Sequence, residues 1–590
     1  MSMTGPIVRR DFLNYALLGT GAALLKMPAP AYASDTYTGF GGVGDYARSN
    51  GDPWPVVEAG HKLRDGAYPN HAKASDTGEL FDLIIIGGGL SGLGAGYYFT
   101  KAGGRSKRCL ILENHPIFGG HCKQNEFVVD GHRLMGPQAS NDFAVPRRGS
   151  GQMDELFTEL RIPREFAWAG WDPSLEPLRI PRDNYAHMDG INDTQVDVGY
   201  HFGGKWARNI FANGLEGAPF SAGVKRDLMK WRNTTGGSEE TRRHLDSISY
   251  RDYIERELGL SPEVTKFVEP VIGLICGATP DAVCARAGHN LVSPPGAHAG
   301  ISFPGGNTTF ARHLVKAFIP DAMPGDLSFA GVLNNAVNFK ALDEENHPVR
   351  IRLNSTVVRV EHEGNGVVAT YEHQGKLYRT RARAAVMATA GWANRHIVAD
   401  LPETIRAAYG EFHYAPALSV NVALRNWRFL YKLRAPAVRY FDGDFGWSCN
   451  IRQSMIAGSF APPLHPDKPV VLTFYTGIYE RGKSAAEQGE LGRKKLLSTS
   501  YAEYERAIRR QMTTLFAGAG FTSADIAGIV LNRWGHARVI QPPGFFYGNA
   551  RQTVEKGFGR IAMAHSELNG HQNATGALAQ GKRAVEQILG

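Results

Sequence analysis

The apolar positions of this 590-residue chain change their period along its length. Phe81-Asp-Leu-Ile-Ile-Ile86 is a short, nearly continuous apolar run that stops at glycine, and Leu110-Ile-Leu112 follows about a helix later. Runs of this length between turn residues fit strands buried on both faces of a parallel sheet. Residues 350–391 alternate and read as strands ending in a third apolar run at Ala384. Residues 410–475 are again strand-rich and aromatic. Helical spacing predicts helices over Met153 to Leu160 and Tyr250 to Leu258, and one long amphipathic helix over 487–517. Residues 34–80, rich in Gly, Asp, Pro and Tyr, show no period and read as an ordered extension or a surface linker. There is no internal repeat. A chain this long exceeds one compact core, so two domains or more are expected.

The first apolar run ends in Gly87-Gly88-Gly89-Leu90-Ser91-Gly92. Gly87, Gly89 and Gly92 have G-x-G-x-x-G spacing. The first allows a tight turn, the second lets the backbone approach a pyrophosphate, and the third lets helix and strand pack closely. Leu90 and Ser91 open the helix whose free N–H groups and dipole favour the phosphates. Glu113, followed by Asn114, ends the second strand, where a carboxylate can accept from ribose hydroxyls. The order strand, glycine turn, helix, strand, acid specifies a dinucleotide-binding unit. A pyridine-nucleotide disulfide reductase is not expected, because there is no second such motif and no C-x-x-C pair.

Which dinucleotide binds is decided elsewhere. Phe118-Gly119-Gly120-His121 lies just past Glu113, and Gly559-Arg-Ile-Ala-Met-Ala-His-Ser-Glu567-Leu568 lies near the C-terminus. Asn573-Ala574-Thr-Gly576 then opens the last helix. Arg383-Ala-Ala-Val-Met-Ala388-Thr-Ala-Gly391 follows the β-rich run Val357-Val358-Arg-Val-Glu361, and Phe303-Pro-Gly-Gly-Asn307 precedes both. In this order these segments resemble the flavin amine-oxidase superfamily. The resemblance implies an α/β fold: a Rossmann-like FAD-binding domain of the glutathione-reductase/amine-oxidase type, interrupted by a mixed α+β substrate domain. The expected division is 81–150 with 291–395 and 535–590 for FAD, and 151–290 with 396–534 for substrate. FAD is expected on Gly87, Gly89, Leu90, Ser91, Gly92, Glu113, Asn114, Gly119, Gly120, His121, Val358, Ala388, Glu567, Asn573 and Ala574.

Within the superfamily, Gly119-Gly-His-Cys-Lys-Gln-Asn-Glu-Phe127, the 303–307 run and Asn532-Arg-Trp-Gly-His536 resemble bacterial spermidine dehydrogenases. That resemblance implies oxidation of a polyamine beside a nitrogen, by hydride transfer to flavin N5, with the imine hydrolysed to aldehyde and amine. It implies a quinone or cytochrome as electron acceptor, and a b-type haem beside FAD, with His121 or His536 as candidate iron ligands. A neutral amine between aromatic walls and a carboxylate for the distal ammonium are the chemical needs. Trp534 is the candidate wall. Tyr440, Phe441, Asp442, Asp444 and Trp447 are the candidate cage and anchor. Rival readings are an amino-acid oxidase, with Arg439 or Arg452 clamping a carboxylate, a desaturase-like enzyme, and a non-catalytic FAD-bearing assembly factor.

Composition adds little to this. The five cysteines are odd in number and unpaired in spacing, against a disulfide framework. The net charge of +8 is scattered, so nucleic acid is not expected as a partner. Oligomeric state stays open. The N-terminus changes the picture more. Arg9-Arg10-Asp-Phe-Leu13, an apolar run from Ala16 to Leu25 and Ala31-Tyr-Ala33 predict a twin-arginine signal over 1–33, export by the Tat machinery, and a periplasmic enzyme.

Overall fold

A computed structural model describes residues 37–68, 73–103, 106–188, 195–234, 237–289 and 300–590. The twin-arginine segment lies outside the described residues. In chain order the strands that build the site are β1 (Ser75–Ile86), β2 (Cys109–Leu112), the hairpin β3–β4 (Gln124–Val129 and His132–Pro137), β5 (Val198–Phe202), β6 (Lys205–Arg208), β7 (Val349–Arg352), β8 (Ser355–Glu363), β9 (Gly366–His373), β10 (Lys376–Met387), β11 (Tyr414–Leu424), β12 (Ala437–Tyr440), β13 (Ser448–Asn450), β14 (Val470–Gly477), β15 (Ile526–Val539) and β16 (Ile561–Met563).

They form two seven-stranded sheets. The first runs β7-β2-β1-β10-β9-β8, with β16 beside β10. β7, β2, β1, β10 and β16 pair in parallel, and β10-β9-β8 is an antiparallel meander. Leu83 to Ile86 and Cys109 to Leu112 are buried on both faces, as their apolar runs require. The helices Leu90–Gly103 and Ala574–Leu589 pack on each other against this sheet. The second sheet runs β15-β11-β14-β13-β12-β5-β6 and forms the floor of the other half.

The boundaries differ from those expected at three places. Leu156, Phe157, Leu160 and Ile162 pack into the core beneath β1, so the chain leaves the first domain later than residue 151. Ile397 to Tyr414 pack with Ile84, Met387 and Ile561, so the first domain continues well past 395. β15 stays in the second sheet through Val539 rather than ending at 534. The helix over Met153 to Leu160 is present as Gln152–Glu159, and Tyr250 to Leu258 is a helical turn running into a π-turn. The expected long helix over 487–517 is two helices, Ala485–Ser498 and Tyr501–Phe516. Ser500 and Glu503 make a capping box, as Ser484 and Glu487 do before the first helix, and a cap restarts the helix there. Residues 37–53 are ordered and lie along the free edge of β15.

Candidate cofactor and substrate site

The glycine turn has the conformation its spacing demands. Gly87 sits at φ +105°. A Cβ on Gly92 would lie 1.9 Å from the Gly87 carbonyl oxygen, so only glycine lets the helix start this close to the strand. Around Gly89 the nearest atom a Cβ would meet is the Gly120 Cα, 3.8 Å away, which leaves the cradle above the turn open. Gly119 N–H donates to Gly88 O at 2.8 Å, and Gly119 and Gly120 take φ of +119° and +56°. The two glycine pairs thus meet backbone to backbone. Leu90 and Ser91 are buried at the start of the helix. Gly581 of the last helix crosses that helix at Ser91, where a Cβ would meet Ser91 O at 2.3 Å. Asn573 caps the last helix by accepting Gly576 N–H at 2.7 Å, with Ala574 buried behind it.

Glu113 is buried and takes two kinds of donor. Gly88 N–H donates to Oε2 at 2.6 Å, while the His115 N–H and Nδ1 lie 2.8 and 2.9 Å from Oε1. Burial pushes its carboxyl up, but His115 and the Gly88 N–H outweigh burial and hold it below the ordinary range. Oε1 takes both His115 donors, and Oε2, with Gly88 as its one donor, keeps a lone pair for a hydroxyl. Asn114 accepts the Thr356 hydroxyl at 2.7 Å. A bulge between Val357 and Arg359 leaves Val358 without a partner on β9, so its backbone groups are released from the ladder. Ala388 N–H donates to Ile86 O at 2.9 Å, and Gly391 N–H donates to the buried Glu567 at 2.7 Å. An open glycine cradle, an acid with a spare lone pair on Oε2 and a strand bulge at Val358 fit a dinucleotide whose pyrophosphate lies over Gly89 and whose ribose meets Glu113.

The second sheet turns one face to this unit. Asn421, Asn532, Trp534 and Tyr475 all reach the segment 125–139. Asn421 and Asn532 donate to Asn125 Oδ1 at 2.7 and 2.8 Å. Trp534 Nε1 donates to Gln138 O at 2.9 Å, and the Tyr475 hydroxyl donates to Ala139 O at 2.6 Å. Tyr185 packs on Tyr475, 5.5 Å between centroids. Trp534 meets His121 edge to face at 4.4 Å. Burial drops the His121 imidazole to about 4, so it is neutral at pH 7. His536 stacks on Trp392 at 4.5 Å, and burial lowers it to about 3. Among the described residues no three His, Cys, Asp or Glu side chains gather as a metal site.

The acidic and aromatic cluster expected at 440–447 is not brought to Trp534. β12 and β15 are four strand spacings apart in the sheet, roughly 19 Å. Asp442 pairs with His201 at 3.0 Å and Asp444 with Arg510 at 3.0 Å, both partly or largely exposed. Tyr440 lies in the core with Leu418, Val420 and Phe474, its hydroxyl donating to Phe445 O at 2.8 Å. Phe441 stacks on Phe202 at 4.7 Å, at the surface. Trp447 is buried beneath Arg439, in the same core as Phe267. Two arginines read as carboxylate clamps also serve the fold. Arg452 Nη2 donates to Pro304 O at 2.6 Å, and Arg439 Nη2 donates to Phe267 O at 3.0 Å.

Three residues of the site were not anticipated. Arg538, four residues past Trp534 on β15, contacts the Tyr185 hydroxyl and donates to Gln572 O at 3.4 Å. No carboxylate among the described residues lies within ion-pair distance of it. Lys123 is fully buried, with its Nζ 5.0 Å from the Trp534 ring. Burial lowers its ammonium to about 7 against the pull of Asp52 and Glu113. His115 joins Glu113 to Asp52. Alternation along a strand offered a weak signal for Arg538. Nothing local marks Lys123, whose partners come from residues 49–51, and although Glu113 is local to His115, the link to Asp52 is not. A cleft of about 950 Å³, lined in part by Asp45, Arg48, Arg352 and Tyr371, opens on the outer edge of the first sheet and includes none of these glycines.

Comparisons with known proteins agree with this layout. Residues 85–147 match the NAD(P)-binding Rossmann-like domain, and residues 334–589 match the family described as flavin containing amine oxidoreductase. A triple mutant of putrescine oxidase superposes with a TM-score of 0.57 at 14% identity, covering 86% of this chain and 99% of that one. Cyclohexylamine oxidase from Brevibacterium oxydans IH-35A superposes at 0.56 with 16% identity, covering 86% and 98%. A curated relative, Oxidoreductase PigB from Serratia sp. (strain ATCC 39006), is 38% identical over 76 residues, 13% of this chain and 10% of that protein. The chain therefore spans about a tenth of that relative's length. The two matches follow each other along the chain, and residues 334–589 are similar to the flavin containing amine oxidoreductases.

Proposed function

We propose that the protein is an exported FAD-dependent amine dehydrogenase that oxidises the carbon beside an amine nitrogen. The observation that carries this reading is the aromatic wall of the buried Trp534 and Tyr475, held against the segment that follows the glycine pair, with the half-buried Tyr185 packed on Tyr475. FAD, when bound, supplies a two-electron acceptor. The protein's share is to strip water from the amine, which favours its neutral form, and to aim a C–H bond. His121 is neutral beside Trp534 and adds no charge that would repel an amine. The family match over residues 334–589 supports FAD, and likeness to an oxidase of putrescine and one of cyclohexylamine supports an amine substrate.

Spermidine is the first substrate to test, because the 119–127, 303–307 and 532–536 runs resemble spermidine dehydrogenases. Its distal ammonium has to be held by groups other than Asp442 and Asp444, which are engaged elsewhere. A second reading, an amine that also carries a carboxylate, is favoured by Arg538, a cation beside the aromatic wall without an acid partner among the described residues. Purified protein is incubated anaerobically with a quinone acceptor and either spermidine or an amino acid. Aldehyde formed from spermidine supports the first reading, and a 2-oxo acid formed from the amino acid supports the second. A Soret band in the same protein adds the b-type haem, with His121 or His536 as ligand, and its absence removes it. Export is tested by changing Arg9 and Arg10 to Lys. Retention of the protein in the cytoplasm is expected, and normal periplasmic activity contradicts it.

A further inference from the structure

Residues 37–53 lie outside both family matches, yet they run between the two halves of the site. Leu531 N–H donates to Thr38 O at 3.0 Å and Phe40 N–H to Ile529 O at 3.3 Å, so the segment adds to the free edge of β15. It then turns across the hairpin. Val43 N–H donates to Glu126 O at 2.9 Å, and Asn125 Nδ2 donates to Asn50 Oδ1 at 2.7 Å. Gly51 sits at φ +55° against Arg533, where a Cβ would fall 2.5 Å from the Arg533 nitrogen. Gly51 N–H donates to Gln138 Oε1 at 2.9 Å, and Gln138 is the residue whose carbonyl accepts Trp534. From beneath, Lys123 Nζ donates to Ser49 Oγ at 2.8 Å and Gly51 O at 2.7 Å.

The segment ends on Asp52. Its N–H donates to Arg533 O at 2.8 Å, Gly535 N–H lies 3.2 Å from Oδ2, and Oδ1 lies 3.3 Å from His115 Nε2. On its other side His115 Nδ1 lies 2.9 Å from Glu113 Oε1. A carboxylate, an imidazole and a second carboxylate stand in line, from the extension to the acid that ends β2. An imidazole between two carboxylates is biased toward its charged form and fixed in orientation, and it fixes the carboxylates in turn.

We infer that Asp52 and His115 are positioning residues for FAD, and that residues 37–53 are a strap that holds Glu113 in the orientation its ribose needs. The inference rests on FAD binding at Gly87–Gly92. The groups facing His115 are Glu113, Asp52 and Lys123. Burial and Lys123 push its pKa down, and the two carboxylates outweigh them and raise it. A His raised in this way contributes in full below its ordinary pKa, and the contribution is lost as pH rises through the raised value. The paired carboxylates are held below their ordinary range, so their contribution is lost only as pH falls through that range. The strap is therefore tightest between the two limits.

The test measures FAD dissociation from holoprotein by the rise in flavin fluorescence, over pH 5 to 9, for wild type, Asp52→Asn, His115→Gln and Lys123→Met. Loss of one charge-assisted bond corresponds to roughly ten- to hundredfold weaker retention. His115→Gln is expected to release FAD faster by that factor at pH 6 and to lose the weakening expected of wild type as pH rises through the raised His115 value. Asp52→Asn is expected to shift that weakening to lower pH, because one of the two acids that raise His115 is gone. Lys123→Met is expected to release FAD faster without moving the midpoint downward. Retention within about twofold of wild type in both Asp52→Asn and His115→Gln at every pH overturns the inference, as does a loss with the wild-type pH profile. A wild type that neither carries nor rebinds flavin overturns the inference together with the FAD reading it rests on, whereas unchanged retention in the variants overturns the inference alone.

Discussion

The glycine turn and the inner face of the second sheet meet at one site but are assembled over different distances along the chain. Gly87, Gly89, Gly92 and Glu113 lie within 27 consecutive positions and belong to one strand–helix–strand unit. Their geometry is set by turn conformation and by the impossibility of a Cβ at Gly92. The aromatic wall is different. Tyr475 and Trp534 are aligned only by the pairing of β14, β11 and β15, and Tyr185, from a third segment, packs on Tyr475. A motif can specify the first kind of site. The second kind exists only once the sheet has formed, and proximity in sequence misleads there, as Asp442 and Asp444 do.

The sharpest way to break this contrast is at the turn. Gly89→Val places a branched side chain in the open cradle, where the structure leaves only the Gly120 Cα nearby. The variant is expected to fold and to purify without flavin. A yellow, active Gly89→Val protein moves the cofactor elsewhere. Trp534→Ala is the matching change on the other side. Truncating a fully buried Trp is expected to cost about 3–5 kcal/mol of stability, and to slow flavin reduction by amine while FAD stays bound. Thermal unfolding and absorbance separate the two effects. Loss of flavin in this variant would join the halves more tightly than the contacts indicate.

How much was legible follows the same division. The strands around the glycine turn, the bulged strand at Val358 and the closing element at Glu567 and Asn573 were readable, because each carries a local signature. The strand-rich 410–475 region was readable as strands, but not which face they present. Tyr440 and Trp534 are both buried aromatics on strands, yet one packs into the far core and the other faces the hairpin. The break at Thr499 was missed although Ser500 and Glu503 spell a capping box, because the amphipathic pattern continues through it. Arg538 and Lys123 owe their roles to partners tens to hundreds of residues away, and His115 joins the local Glu113 to the distant Asp52.

Smaller effects sharpen the substrate side. Arg538→Met is expected to leave a diamine unchanged and to raise the KM of a carboxylate-bearing amine by roughly ten- to hundredfold, the worth of one charged hydrogen bond. Equal loss for both substrates would give Arg538 a structural role with Tyr185. Asp442→Asn and Asp444→Asn remove exposed ion pairs, which contribute about 0–1 kcal/mol. Their specificity for spermidine is expected to stay within about twofold of wild type. A tenfold loss in either would return the anchor to the 440–447 stretch.

The central claim is that an amine reduces a flavin held between the glycine turn and the Trp534 wall. It is tested most directly by mixing the purified holoprotein anaerobically with spermidine, putrescine, a monoamine and an amino acid while recording the flavin absorbance. Rapid loss of the oxidised flavin band with at least one of these amines, slowed in Trp534→Ala, is the predicted result. A flavin that stays oxidised with every one of them contradicts the account and favours a non-catalytic role.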